Sequence, residues 1–187
     1  MNATAKAMIL KARGFALGAH AGMGQVRKFT GEPYYNHPFR AAEMAEAYGC
    51  DWEVICGCYL HDTVEDTGVT IELIHQEFGS RVAQIVNGVT NVATRENSPG
   101  LNRADRFALN LAHLKEQGHG SKEVRLFDVF DNLRDAEKVD AKFANLLVAE
   151  KPIVVAECRE ANYAMHTLCM ARIKEVSAYL KARGELK

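Results

Sequence analysis

The chain is 187 residues long, 48% hydrophobic and 25% charged, which is ordinary globular composition and enough length for one well-packed core. A formal net charge of −1 excludes an overall pull toward nucleic acid or anionic lipid, so any basic site must be local. Five cysteines without a CxxC pair argue against a disulfide frame or a thiolate zinc site and point to reduced thiols and the cytoplasm.

Four prolines and few β-branched alternations predict an all-α chain. The first helix is expected from Thr4 to about His20, where AGMGQ breaks its spacing; lysine and arginine run through it, and it lacks the continuous apolar block of a signal peptide. No apolar run approaches a membrane span, so no membrane partner is expected. RKFTGEPYYNHP reads as a polar loop, with Asn36 or His37 capping a second helix from about His37 to near Gly49 and Pro38 in its first turn. Asp51 is placed as the cap of WEVICGCYLHDTV, apolar almost all round and therefore the central, most buried helix.

Thr70 opens a short helix to about Phe78, and Ser80 caps RVAQIVNGVTNV, with Val82, Ile85, Val86 and Val89 on one stripe. After the loop ATRENSPG come an amphipathic helix, NRADRFALNLAHLKEQ, a Gly-His-Gly loop and the segment SKEVRLFDVFDNLRDAEKVD. A last helix is expected from Glu157 to Arg183, with Met165, Leu168, Met170, Ile173, Val176 and Leu180 mostly inward. No repeat or linker divides the chain, which predicts a single domain over residues 1–187.

The chemistry concentrates in HDTVEDTG, residues 61–68, where His61, Asp62, Glu65 and Asp66 follow the apolar run VICGCYL. Burying an unpaired carboxylate costs roughly several kcal/mol, so this group needs a cation, a basic partner or open water. His61 and Asp62 are adjacent, and on a helix both reach one point only if it lies off the helix end or edge. The best further donors are His37, restricted by Pro38, and Asp128 in the apolar turn LFDVF. Two histidines and two carboxylates suit Mn²⁺, Fe²⁺ or Mg²⁺ with open water positions, and Mn²⁺ is the leading choice.

The bland alternatives are a helix-end histidine satisfied by its neighbour, an Asp128 paired with Arg125, and acids at 65 and 66 flanking a solvated turn. Arg103 and Arg106, at i and i+3 in NRADR, read either as a solvated face or as a binding site for substrate phosphates. His20, His75, His113, His119 and His166 are explained by surface or helix-edge positions. Tyr34 reads equally as packing over its loop or as a ligand contact.

AHAGMGQVRKFTGEPYYNHP, YLHDTVEDTGVT, EFGSRVAQIVNGVTNV and VRLFDVFDNLRD together resemble the HD hydrolase domain of the RelA/SpoT family, especially its small stand-alone alarmone hydrolases. The match runs along most of residues 15–136, with further C-terminal helices at 143–183 expected to pack on that core. The resemblance implies an HD-domain helical bundle of about eight to ten helices, in which His37, His61, Asp62 and Asp128 hold Mn²⁺. It implies hydrolysis of the 3′-pyrophosphate of guanosine tetra- or pentaphosphate. Glu65 and Asp66 match the acidic pair that positions or activates water, Arg27 and Lys28 match a clamp on the base or ribose, and Asn132 matches a nucleotide contact.

Two departures are visible. RKFTGEPY carries one residue more than the family's RKSGEPY, which leaves the clamp open between Arg27 and Lys28. LFDVFDNLR places Val129 and Asp131 where the family has arginine and histidine, which keeps the metal ligand and leaves base recognition open. The chain has no room for synthetase or regulatory domains, so alarmone synthesis is not expected. Two other readings stand beside hydrolysis of (p)ppGpp: the same metal chemistry on NADPH or an adenosine alarmone, and a non-catalytic nucleotide-binding module. Oligomeric state is not legible.

Overall fold

The computed structural model describes residues 1–186. Among them lie ten helices and no strand: α1 Ala3–Gly22, α2 Asn36–Ala47, α3 Trp52–Leu60, α4 Thr63–Asp66, α5 Ile71–Phe78, α6 Ser80–Val89, α7 Arg103–Lys115, α8 His119–Arg134, α9 Ala141–Glu157 and α10 Tyr163–Ala182. Five N-termini are set by side chains. Asn2, Thr70, Asn102, Asp140 and Asn162 each accept the backbone N–H three residues on, which satisfies one of the donors a helix start leaves over.

α3 is the centre of the packing. Every residue from Val54 to Leu60 is buried, and the helix is flanked by α1, α2, α6 and α8. Gly57 makes this approach feasible: a Cβ there would lie 2.6 Å from Ile85 Cγ2 of α6 and 3.0 Å from Val124 Cγ2 of α8. The C-terminal pair α9 and α10 packs on α8, and Ala144, Val155, Met165, Cys169, Ile173 and Val176 belong to the common buried core.

Several boundaries differ from the sequence expectation. α1 begins at an Asn2 cap rather than at Thr4. α2 is preceded by Tyr35, with no side chain bonding its first turn, so neither Asn36 nor His37 is the cap. Asp51 precedes α3 without a capping bond, and Ser80 is the first residue of α6, not its cap. The last helix starts at Tyr163, because Asn162 caps there and α9 ends at Glu157. α9 runs through Pro152, a residue that usually kinks or breaks a helix interior. Leu168 is 38% exposed and faces outward, whereas Met165, Ile173, Val176 and Leu180 are buried.

The loop between α1 and α2 folds back on itself. Arg27 N–H donates to Glu32 O at 2.8 Å, Gly31 N–H to Arg27 O at 2.9 Å and Tyr34 N–H to Gln25 O at 3.0 Å. Gly31 has φ +72°, the left-handed conformation that this tight turn requires. The extra residue in RKFTGEPY is thus absorbed within the turn, and Arg27 and Tyr34 keep fixed places on its two arms.

The contact at Gly57 generates a stability prediction. Overpacking of a tight core costs about 1–3 kcal/mol, while the helix propensity of alanine returns up to about 1 kcal/mol. Gly57→Ala should therefore lose up to about 2 kcal/mol net in urea denaturation, and a raised midpoint would show that α3 has room to spare.

Candidate metal centre

α3 stops at Leu60 because side chains take over its last carbonyls. Thr63 Oγ1 donates to Leu60 O at 2.7 Å, and His61 Nδ1 donates to Cys58 O at 2.8 Å. His61 and Asp62 sit in the turn so formed, off the helix end as their adjacency requires, and α4 follows as a separate short helix. Glu65 therefore belongs to α4, and the helix does not continue from His61 to carry it on the same face.

Two helices converge on this turn. His37 comes from the first turn of α2 and Asp128 from the middle of α8, both buried. His37, His61 and Asp128 each bring a ligand atom within 4.8 Å of the others. The two imidazole Nε2 atoms are 3.3 Å apart. Asp62 Oδ2 lies 3.5 Å from His37 Nε2 and 3.1 Å from His61 Nε2, and Asp128 Oδ1 lies 3.2 and 3.8 Å from the same atoms.

Both rings are turned by what lies behind them. A carbonyl can only accept, so the bond to Cys58 puts a proton on His61 Nδ1 and leaves Nε2 facing the centre. His37 Nδ1 is 2.7 Å from Asp131 Oδ2, which fixes its ring likewise. Two imidazole nitrogens aimed at each other beside two carboxylates form the mixed nitrogen–oxygen donor set that suits a mid-row divalent cation. The residues present fit such an ion.

The electrostatics separate the acids into two groups. Burial works against ionisation of Asp62, but His61 and His37 outweigh it and hold its carboxyl well below the usual range. Burial likewise opposes ionisation of Asp128, and His37 and Arg125 reverse the balance. For Glu65 and Asp66 burial wins, reinforced by the charge of Asp62, and both carboxyls are pushed up. Burial also opposes protonation of His61, yet Asp62 and Asp128 hold its imidazole up at about 9.

The other residues singled out in the sequence fall around this centre. Glu65 is held by the Asn91 backbone N–H at 2.7 Å and its side-chain amide at 2.9 Å. Asp66 accepts from Gln25 Nε2 at 2.9 Å. Arg27 Nη1 donates to Asn132 Oδ1 at 3.1 Å, and Asn132 Nδ2 donates in turn to Asp128 Oδ1. Arg27, Lys28, Tyr34, Asn132 and Lys151 line a cavity of about 290 Å³. Arg103 and Arg106 border a neighbouring cavity of about 280 Å³ with Arg125 and Lys151. Arg103 is bound through two 2.8 Å contacts to Glu150, and Arg106 donates to the Leu101 carbonyl. No contact joins this pair to the histidines.

Residues outside the expected donor set also reach the centre, among them Tyr34 and Arg125, which the sequence leaves open between packing or pairing and a role at the site. Tyr34 donates its hydroxyl to Asp62 Oδ2 at 2.7 Å, so it touches the donor set directly. Arg125 bonds Asp128 Oδ2 at 2.7 Å, so Asp128 meets both its arginine and the histidines. His20 is fully buried rather than at a surface, and its Nδ1 holds Gln25 Oε1 at 2.9 Å. GQVRK carried a signal for Gln25, but no periodicity points to Lys151, which α9 presents beside Pro152.

A helical chain that brings His37 of α2 and Asp128 of α8 against a His-Asp turn forms a His/Asp group of the kind that suits a divalent metal. The HD-domain family model matches residues 12–151. The chain belongs to the HD-domain family. Guanosine-3′,5′-bis(diphosphate) 3′-pyrophosphohydrolase MESH1 of Danio rerio is 36% identical over 140 residues, 74% of this chain and 74% of that protein. The Homo sapiens protein of the same name is 36% identical over 135 residues, 71% of each chain. A guanosine-3′,5′-bis(diphosphate) 3′-pyrophosphohydrolase of Aquifex aeolicus is 46% identical over 69 residues, which are only 10% of that longer protein. A solved structure described as a metazoan ortholog of SpoT that hydrolyzes ppGpp shares the fold, with a TM-score of 0.76 at 24% identity over 96% of this chain and 97% of that one.

The raised imidazole sets a pH dependence for the metal-free protein. The folded value of about 9 lies above the ordinary 6.5, so the stabilisation is complete below 6.5 and is lost as pH rises through 9. Thermal melts of metal-free protein should therefore decline from neutrality to beyond about 9, and Asp62→Asn should flatten that decline. A parent Tm that stays level across this window would contradict the pairing.

Proposed function

We propose that this chain is a Mn²⁺-dependent guanosine-3′,5′-bis(diphosphate) 3′-pyrophosphohydrolase, releasing pyrophosphate and GDP or GTP. The observation that carries this reading is the convergence of His37, His61 and Asp128 on one buried point, with Asp62 beside both imidazoles, in a chain that aligns with MESH1 proteins over most of its length. The donor set fits several divalent ions, and its two nitrogens with two oxygens favour Mn²⁺ over an all-oxygen ion such as Mg²⁺.

When bound, the cation would supply charge to the phosphate oxygens and make water more acidic. Glu65 and Asp66 are the proposed proton acceptors. Their carboxyls are pushed up by burial and by Asp62, toward the range in which a general base works near neutrality. Asn91 grips both oxygens of Glu65, and Gln25 holds one oxygen of Asp66, so each acid has a set direction. Arg27, Lys28 and Asn132 would hold the nucleoside in the cavity that they line, and Arg103 and Arg106 would attract the further phosphates from its rim.

We read residues 1–187 as one domain, because α9 and α10 pack on the helix that carries Asp128. Five cysteines with free thiols support a reducing compartment, the cytoplasm. No described helix is long and apolar enough to cross a membrane. Asp131, the departure that favoured another nucleotide, is spent on His37 and Arg40, so it offers no argument for a different base.

Product analysis with Mn²⁺ and ppGpp, run beside NADPH, tests reaction and substrate together. The expected result is pyrophosphate from ppGpp with the larger kcat/KM; intact ppGpp would sink the assignment, and preferential loss of the 2′-phosphate of NADPH would move it to another substrate. Asp62→Ala should abolish both metal uptake and turnover. Glu65→Gln should keep the metal and lose about 10²–10⁴-fold in kcat, so a variant that retains full kcat would remove Glu65 from the chemistry.

A further inference from the structure

His37 and His61 reach the centre through the same atom, but they are supported differently. Behind His61 stands a backbone carbonyl, which no substitution alters. Behind His37 stands a side chain, Asp131, one of the two departures from the family pattern. Asp131 is 1% exposed, and both of its oxygens are used. Oδ1 accepts from Arg40 Nε at 2.6 Å, while Oδ2 accepts from Arg40 Nη2 at 2.9 Å and from His37 Nδ1 at 2.7 Å. The guanidinium thereby grips the carboxylate at both oxygens, the arrangement that fixes orientation as well as charge.

The grip continues outward. Arg40 Nη1 and Nη2 also donate to Glu32 at 3.1 and 2.9 Å. Glu32 lies in the turn of the α1–α2 loop, and its carbonyl receives the Arg27 N–H at 2.8 Å. One guanidinium therefore ties α8, α2 and the loop that carries Arg27. A carboxylate behind a ligating histidine fixes the tautomer and raises the basicity of the ligating nitrogen.

We propose that Asp131, clamped by Arg40, is the positioning residue that holds His37 as the Nδ1–H tautomer and strengthens Nε2 as a metal donor, and that Glu32 extends this clamp to the nucleotide loop. A purely structural salt bridge between α2 and α8 would use the same contacts, so the two roles must be separated by what happens to His37. The inference rests on the reading of this centre as a metal site, and it does not depend on which nucleotide is hydrolysed.

Two variants of the full chain test it, Asp131→Asn and Arg40→Met, together with their combination. Asparagine can still accept from His37 through its carbonyl, but its amide then turns donor against donor toward Arg40, so the clamp opens. Mn²⁺ binding by titration calorimetry should weaken about 10–100-fold in Asp131→Asn and less in Arg40→Met. The double variant should match Asp131→Asn alone, since Arg40 acts through Asp131. In metal-free protein at a pH above about 9, where the His61 ring is neutral, the ¹⁵N ring signals of His37 should lose the single Nδ1–H pattern, while those of His61 keep theirs. Unchanged Mn²⁺ affinity with an unchanged His37 pattern, in either folded single variant, would reduce the contacts to a structural bridge. Arg40→Met leaves Asp131 and His37 in place, so it decides the matter if Asp131→Asn fails to fold. A parent chain that takes up no Mn²⁺ would overturn the metal reading itself, and this inference with it.

Discussion

Two imidazole Nε2 atoms held 3.3 Å apart inside the protein are the constraint around which the other elements are arranged. Left alone, such a pair would rotate to find other partners. Each ring is prevented from doing so by a bond on its far nitrogen, to Cys58 O in one case and to Asp131 in the other. The consequences reach into the backbone. α3 must end at Leu60 so that His61 can turn back, α2 must begin close to His37, and α8 must pass near enough to deliver both Asp128 and Asp131. That last approach depends on Gly57, where any side chain would press on Ile85 and Val124.

The same centre polarises the acids around it. Asp128 and Asp131 are buried and Asp62 is partly so, yet each has an imidazole or guanidinium against it and is held in the charged form, Asp131 at about 2. Glu65 and Asp66 are also mostly buried, but their hydrogen bonds come from neutral amides, and the nearest strong charge is the like charge of Asp62. Their carboxyls consequently rise. Carboxylates a few residues apart in sequence are thus driven in opposite directions, the separation on which the proposed division between cation-holding and proton-moving acids rests. Arg125 belongs to the first group, since it neutralises Asp128 from the side opposite the histidines and anchors itself on the Val89 carbonyl.

How much of this could be read in the sequence depended on the range of the forces involved. Local signals are legible: the helix start at Thr70, the helix opening near Asn102 and the continuous burial of α3 follow from side-chain spacing alone. The His-Asp adjacency correctly required a point off a helix end. What failed were features decided by side-chain bonds and packing that apolar spacing does not record. The break after Leu60 comes from Thr63 and His61 bonding carbonyls behind them, a competition that no apolar pattern records. α9 persists through Pro152 because packing against α8 and α10 outweighs a local penalty of about 3 kcal/mol. His20 was placed at an edge, although it lies at 0% exposure behind Gln25, because its partner belongs to a loop. Asp131 was visible as a departure, but its direction along α8, toward α2 rather than the cavity, depended on Arg40.

The loop between α1 and α2 holds its two arms without using its tip. The additional residue in RKFTGEPY lengthens the tip, and the bond from Arg27 N–H to Glu32 O closes the turn beneath it. Arg27 then points its guanidinium to Asn132 and over the Tyr34 ring, 6.0 Å from its centroid, whereas the Lys28 ammonium lies over Phe29. Asn132 passes the contact to Asp128, and Tyr34 passes it to Asp62. Of the two basic residues, Arg27 alone is therefore wired to the metal-facing carboxylates, which favours it over Lys28 as the side chain whose position the centre can fix. Lys28 keeps its place on the cavity wall as a charge rather than as a directed contact. A loop anchored at Glu32 on one arm and at Arg27 on the other can tolerate change at its tip, because neither anchor passes through residues 28–30.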